Sequence, residues 1–179
     1  AILIAGCGTG QHSIDTAARF KNAKVLAIDL SLSSLAYAQR KTEAFGVQNL
    51  EYMQADLLDL GQLNKTFDII ESSGVLHHME KPMAGWKVLV SCLKVGGLMK
   101  IGLYSELARQ HIAKMREEIQ QLNTETDHIG MKRFRNGVIR SKAPHHQLII
   151  SSPDFHSMGS LQDLLFHVQE HHFTIPQIQ

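Results

Sequence analysis

The sequence contains few of the residues from which disulfide-rich and zinc-ribbon proteins are built. Its 179 residues include only two cysteines, Cys7 and Cys92, which are far apart and form no C-x-x-C pair. This spacing excludes a disulfide scaffold and is typical of a reducing compartment, so we predict a cytoplasmic location. No apolar run reaches about 18 residues, so we expect no membrane-spanning helix.

Net charge is also nearly absent. The chain has 18 Lys and Arg residues against 17 Asp and Glu residues, which gives a formal net charge of +1. A balanced chain is not attracted as a whole to nucleic acid or to an anionic membrane surface, so we expect neither as a partner. Apolar residues make up 44% of the sequence, which is ordinary for a globular domain with one core.

Strand and helix patterns alternate over the first hundred residues. Strands are predicted at residues 2–4, 24–28, 50–54, 67–70 and 98–103, and helices at residues 11–20, 33–45 and 82–93. This repetition predicts an α/β fold with a Rossmann-like, doubly wound, mostly parallel sheet and helices on both faces. Because the sequence opens directly on a strand at Ile2, we expect a fragment that is truncated at both ends.

The pattern changes after residue 104, so we predict a core of residues 1–104 and a second segment of residues 105–179 in the same domain. Helices are predicted there at residues 105–122 and 160–172. Residues 128–153 contain no acidic residue but five cations, namely Lys132, Arg133, Arg135, Arg140 and Lys142. Such a segment can form a lid that suits an anionic substrate or a solvated surface.

A glycine-rich turn follows the first predicted strand. Gly6-Cys7-Gly8-Thr9-Gly10 has the spacing G-x-G-x-G, and its glycines allow backbone N–H groups to approach a ligand closely. The dinucleotide pattern would need glycine at position 11, where Gln11 stands, and no Gly-Lys-Ser/Thr follows. The turn therefore argues against NAD, FAD and a Walker-type phosphate site.

Two carboxylates follow the next two strands. Asp29 ends the second strand, where a carboxylate can accept hydrogen bonds from both hydroxyls of a ribose. Asp56 follows the third strand and can accept from an adenine amine, with Leu57 beside the ring. A structural turn and two helix-capping aspartates are the alternative, but three such features in this order favour an adenosine site.

With these motifs the sequence resembles the class I S-adenosylmethionine-dependent methyltransferase family. The residues that carry the resemblance are 2–10, 25–31, 55–57, 67–78 and 93–97. It implies methyl transfer with S-adenosyl-L-methionine (SAM) as the cofactor. The glycine turn would face the methionine part of SAM, Asp29 the ribose and Asp56 the adenine. The implied cofactor-binding residues are Gly6, Cys7, Gly8, Thr9, Gly10, Asp29, Leu30, Asp56, Leu57, Ser72 and Ser73.

The resemblance leaves the methyl acceptor and the catalytic residues unassigned. The family often has an acidic residue two positions before the first glycine, where this chain has Ile4. His77 and His78 follow the fourth strand and could act as a base or pack the loop, and Tyr104 is expected to be half-buried. A displacement at a sulfonium needs positioning above all, so no fixed catalytic residue has to exist. The acceptor is a small molecule or a protein.

Two other functions remain open. One is a SAM-binding module without catalysis, which the unassigned catalytic residue leaves possible. The other is a zinc hydrolase, because His167-Val168-Gln169-Glu170-His171 matches the H-x-x-E-H pattern and would place both histidines on one face of the last helix. A third ligand could come from His128, His145, His146, His156 or His172. A short match in a histidine-rich chain is weak, and we predict no metal site.

Overall fold

The computed structural model describes residues 1–178, which divide into two compact units. The first unit spans Ala1–Leu103 and the second begins at Tyr104. The strands of the first unit are β1 (Ile2–Ala5), β2 (Val25–Asp29), β3 (Leu50–Gln54), β4 (Phe67–Ser73) and β5 (Leu93–Gly102). Its helices are α1 (Gln11–Arg19), α2 (Leu32–Ala44) and α3 (Pro82–Ser91), with 3-10 turns at Leu57–Leu63 and Leu76–His78.

The five strands form one sheet in the order β3-β2-β1-β4-β5, and every pairing between them is parallel. The chain builds outward from β1 in one direction as far as β3 and then crosses back to add β4 and β5 on the other side. This is a doubly wound sheet, so the predicted Rossmann-like fold class is confirmed. The reversal point lies between β1 and β4, where ligands bind in such folds.

The apolar sequence of β1 places this strand at the centre of the core. Successive side chains of a strand point to opposite faces. Accordingly, Ile2 and Ile4 pack in one apolar cluster with Ile14 of α1, while Leu3 and Ala5 pack in a second cluster on the other face. All four residues of β1 are at most 2% exposed. Burial on both faces explains why this strand has no polar alternation.

The last two strands are longer than predicted. β4 runs to Ser73 rather than Ile70, and β5 begins at Leu93 rather than Leu98. The Gly96-Gly97 pair lies inside β5, where the register against β4 shifts between Phe67 and Ile69. Gly96 has φ +77°, a value that glycine adopts without strain. β5 therefore continues through both glycines, with a local irregularity in its pairing with β4.

The second unit is helical. Its helices are α4 (Gln110–Gln121), α5 (His128–Arg140), α6 (Pro144–Ile150), α7 (Met158–Leu165) and α8 (Ile175–Ile178). Ile112, Met115 and Ile119 of α4 form a buried stripe in the core of this unit. The helix begins five residues later than predicted, and Leu107 and Leu122, which flank it, are exposed. Most of the basic segment, residues 128–153, forms α5 and α6.

The prediction that the last helix reaches residue 172 is wrong. α7 ends at Leu165, and residues 167–171 lie outside any helix. Glu170 instead accepts a hydrogen bond from Arg109 Nε at 3.0 Å, and its side chain is only 2% exposed. The H-x-x-E-H residues thus lack the helical face on which the zinc-hydrolase hypothesis depended.

Within residues 1–178, no helix is both long and apolar enough to cross a lipid bilayer.

Candidate functional site

The glycine turn between β1 and α1 is shaped by left-handed backbone. Gly6, Gly8 and Gly10 have φ of +83°, +51° and +87°. The amide groups of Gly6 and Cys7 both donate to the carbonyl of Ile28 at 2.9 Å, which holds the turn against the end of β2. A Cβ on Gly6 would lie 2.0 Å from Val75 Cγ2. Val75 can therefore pack this closely against the turn only because residue 6 has no side chain.

Asp29 fastens the glycine turn to the following helix. Its Oδ2 accepts from the amide of Gly8 at 2.8 Å, and its Oδ1 accepts from the amide of Ser31 at 2.9 Å. Ser31 in turn caps α2 by accepting from the amide of Ser34. A carboxylate oxygen can accept more than one hydrogen bond, so Asp29 keeps acceptor capacity for a ligand. The acidic end of β2 and the glycine turn thus meet, as their order in the sequence predicts.

An open cleft of about 600 Å³ lies over this contact. Six of the predicted cofactor-binding residues line it: Gly6, Cys7, Gly8, Thr9, Asp29 and Ser73. The cleft sits at the carboxyl ends of β1, β2 and β4, the edge at which ligands bind in such sheets. Its size falls within the range of about 300–1,000 Å³ that is usual for small-molecule sites.

The other five predicted residues do not line this cleft. Gly10 is buried beneath the turn and Ser72 is 1% exposed, whereas Leu30 is 65% exposed. The carboxylate of Asp56 caps the 3-10 turn that follows β3, by accepting from the amide of Leu58 at 2.9 Å. Leu57 is predicted to lie beside the adenine ring, but its side chain packs in the core, so only its backbone is left for such a contact.

The sequence motifs did not indicate an acidic residue next to the cleft. His12 of α1 lines the cleft, and its Nε2 lies in contact with a carboxylate oxygen of Glu71 on β4. Glu71 is paired in register with Ile4 of β1 on one side and with Lys100 of β5 on the other. The register of β1 against β4 places Glu71 on the same face as Ile4, since paired residues of neighbouring strands share a face, and no local sequence pattern gives that register.

The thiol in the glycine turn is not a nucleophile. Burial, together with the negative charge of Asp29, raises the pKa of Cys7 to about 12. The thiol is therefore protonated at neutral pH, and only a thiolate attacks efficiently. Cys7 contributes its backbone and its packing to the turn.

The histidines after β4 are arranged as a packed pair. His77 is 1% exposed, and its ring meets that of His78 at a centroid distance of 4.4 Å and an interplanar angle of 66°. Both belong to the 3-10 turn Leu76–His78. In the second unit, Tyr104 lies under the guanidinium of Arg109 at 3.6 Å, and burial raises the pKa of its hydroxyl. A catalytic role for any of the three stays untested.

The doubly wound sheet, the glycine turn and the acidic tip of β2 together define a Rossmann-like ligand-binding protein. Residues 2–97 match the family model of the methyltransferase domain, and the chain belongs to the class I SAM-dependent methyltransferase family. S-adenosylmethionine is the cofactor of this family.

The sequences of two relatives match part of this chain. An uncharacterised protein of a Synechococcus strain is 41% identical over 125 residues, which cover 69% of this chain and 30% of that protein. The malonyl-[acyl-carrier protein] O-methyltransferase of Halalkalibacterium halodurans is 31% identical over 102 residues, covering 55% of this chain and 37% of that enzyme. The chain thus spans about a third of the length of these relatives.

A solved structure resembles nearly the whole chain. PKMT2 from Rickettsia typhi superposes with a TM-score of 0.80 over 99% of this chain and 36% of that protein, at 18% identity. At this level of identity the likeness concerns the fold alone.

Proposed function

We propose that the cleft of the first unit binds S-adenosylmethionine and that the whole protein transfers its methyl group to an acceptor. The observation that carries the proposal is the contact between the amide of Gly8 and the carboxylate of Asp29. This contact joins a glycine turn at the end of β1 to an acidic residue at the end of β2, which is the arrangement that receives the ribose of a nucleoside.

Each part of the cofactor has residues of matching chemistry in this assignment. The turn Gly6–Gly10 receives the methionine part, because its backbone comes closest to the open cleft. The free lone pairs of Asp29 accept the ribose hydroxyls. Asp56 and the backbone of Leu57 receive the adenine, next to exposed Leu30. Ser73, with Ser72 behind it, lies near the methionyl end.

Glu71 supplies the negative charge that position 4 lacks. The side chain of Ile4 is apolar and buried, so it cannot bind the ammonium group of the methionine part. Its partner in the neighbouring strand, Glu71, has a largely buried carboxylate in contact with His12, which lines the cleft. A carboxylate there can pair with an ammonium group, and such charge-assisted hydrogen bonds are strong.

Bound SAM supplies a methyl group on a sulfonium, which is already activated for an in-line displacement. The chain itself then has to orient the cofactor and keep water from the sulfur. The protonated thiol of Cys7 takes no proton at neutral pH, so any general base comes from elsewhere in the protein.

Calorimetric titration of the purified protein with SAM and with S-adenosylhomocysteine tests the cofactor assignment. We expect one site with micromolar affinity, lost in Asp29→Ala. Asp68→Ala is the matched control. Asp68 lies at the start of β4, away from the cleft at the carboxyl end of that strand, and its exposed side chain accepts a hydrogen bond from Lys94. Equal affinities in the two variants, or no binding in the parent protein, would refute the assignment.

The acceptor is a separate question. The cations on and next to α5 suit an anionic acceptor, and the relative from Halalkalibacterium is named for transfer to oxygen. A turnover assay with labelled SAM against carboxylate and amine acceptors, small molecules and proteins alike, tests this. Transfer only to amines would refute an anionic acceptor. SAM binding without transfer to any acceptor would favour a binding module.

A further inference from the structure

Three side chains of the kinds that bind metal ions lie close together in the second unit, outside the proposed SAM cleft. Glu118 lies on α4, and His145 and His146 are the second and third residues of α6. His145 Nε2 is 2.5 Å from Glu118 Oε1, and His146 Nε2 is 2.7 Å from Glu118 Oε2. One ligand atom from each of the three residues lies within 4.8 Å of the other two.

The backbone of α6 holds the two histidines in place. Pro144 occupies the first turn of this helix, where its fixed φ angle matches helical backbone. The rings of His145 and His146 lie 4.4 Å apart at an interplanar angle of 60°, and both turn toward the same carboxylate. Their side chains are 22% and 13% exposed, and that of Glu118 is 31% exposed. The group is therefore partly shielded from water but can still be reached by an ion.

The three side chains offer the donor atoms that zinc and similar divalent transition-metal ions bind. Two imidazole nitrogens and one carboxylate form a ligand set that zinc uses when a fourth position stays open. Tetrahedral ligands about 2.0–2.1 Å from the metal lie about 3.3 Å apart. Each imidazole nitrogen is within about 1 Å of that spacing from its Glu118 oxygen, and the ligand atoms of the three residues all lie within 4.8 Å of one another.

A cavity borders the cluster on one side. It has a volume of about 440 Å³, and both Glu118 and His146 line it, together with Asn123 and Arg133. A metal held by the three side chains would present its fourth coordination position to this cavity. Arg133 and Glu125, which lie 4.0 Å apart as an ion pair, also line this cavity, so polar groups surround the open position.

We propose that Glu118, His145 and His146 form a binding site for a divalent transition-metal ion of the zinc class, with one coordination position open to the neighbouring cavity. The site is separate from the H-x-x-E-H residues, and it departs from the prediction of no metal site. It does not depend on SAM binding, because every residue involved belongs to the second unit.

Zinc titration of chelator-treated protein by calorimetry, with Co²⁺ absorption as a second readout, tests the proposal. We expect one ion per chain and cobalt bands typical of tetrahedral coordination. His146→Ala removes a direct ligand and should weaken binding by about 100-fold or more, since even indirect partners of a metal contribute 10- to 100-fold. Glu118→Gln keeps the size of the side chain and should have a similar effect.

His156→Ala is the matched control. His156 is an exposed histidine of the same unit, and its ring contacts the carbonyl of Ile150 rather than the cluster. This variant should bind zinc as the parent does, which separates the site from weak binding by the other histidines. Circular dichroism identifies any variant that fails to fold. The proposal is overturned if the parent binds no zinc more tightly than the cluster variants, or if folded Glu118→Gln retains parental affinity. Both results would show a hydrogen-bonded contact between α4 and α6 only.

Discussion

Adding one methyl group at Gly10 and at Gly8 should separate the stability of the glycine turn from its function. Both residues have left-handed backbone, with φ of +87° and +51°. Alanine in this conformation costs about 1–2 kcal/mol at either position. The surroundings differ, however. A Cβ on Gly10 would lie 2.5 Å from Ala38 Cβ and 2.9 Å from Tyr52 Oη, whereas a Cβ on Gly8 meets nothing within 4 Å.

The clash at Gly10 cannot be relieved by rotating a flexible side chain, because Ala38 is part of α2. Overpacking of this kind costs a further 1–3 kcal/mol, roughly. Gly10→Ala should therefore lower the free energy of unfolding by about 2–5 kcal/mol, and Gly8→Ala by only about 1–2 kcal/mol. Urea denaturation followed by circular dichroism measures both values.

For SAM affinity the order should be the reverse, with Gly8→Ala the more strongly affected variant. The methyl group of Gly8→Ala adds to the lining of the cleft, so it should weaken SAM affinity by about tenfold, or about 1.4 kcal/mol. Folded Gly10→Ala should bind more tightly than Gly8→Ala, because Gly10 is buried beneath the turn. If Gly10→Ala is the more stable variant, or if Gly8→Ala binds SAM as the parent does, the account of the turn is wrong.

Three further predictions follow from individual side chains. Glu170→Gln should destabilise the protein at pH 7 by about 3–5 kcal/mol, because it leaves the partly buried Arg109 and Arg116 without their carboxylate. Burial raises the pKa of Glu170, but its contacts with His172 and Arg109 outweigh this and lower it. The stability that Glu170 contributes is complete above its unfolded pKa of about 4.3 and is lost as the pH falls through its lower folded pKa. The free energies of unfolding from urea titrations at pH 7 and pH 3 should therefore differ less in the variant than in the parent. Cys7 should resist iodoacetamide at pH 8 in the folded protein, as mass spectrometry would show, and rapid labelling would contradict its raised pKa. Glu71→Gln should weaken SAM affinity in calorimetry while exposed Glu51→Gln does not, and equal affinities would remove Glu71 from the site.

The meeting of the glycine turn with Asp29 could be predicted from the rules of parallel sheets. Gly8 and Asp29 are 21 residues apart, but carboxyl ends of parallel strands share one edge, so their contact could be expected. The direction of a side chain could not be predicted in this way. Leu57 turns into the core because the 3-10 turn that Asp56 caps begins at that residue, and its sequence neighbour Leu58 is exposed instead.

The ends of elements were harder to predict than their existence. The apolar spacing at residues 160–172 indicated a helix, but α7 stops at Leu165. The residues beyond it are held by contacts from α4, where Arg116 donates to the carbonyl of His167 at 2.5 Å across 51 positions. No periodicity within the segment encodes a hydrogen bond of that span.

The sequence alone determined the parallel sheet, the glycine turn and the acidic residue that faces it, because alternating apolar segments and short loops leave few ways to wind such a chain. Only the tertiary structure decided which charges meet across distant segments. Glu71 lies beside Ile4 because β4 pairs with β1, and Glu118 lies between His145 and His146 because α4 packs on α6. Contacts of this kind depend on strand register and helix packing, which arise from the whole core rather than from any local run of residues.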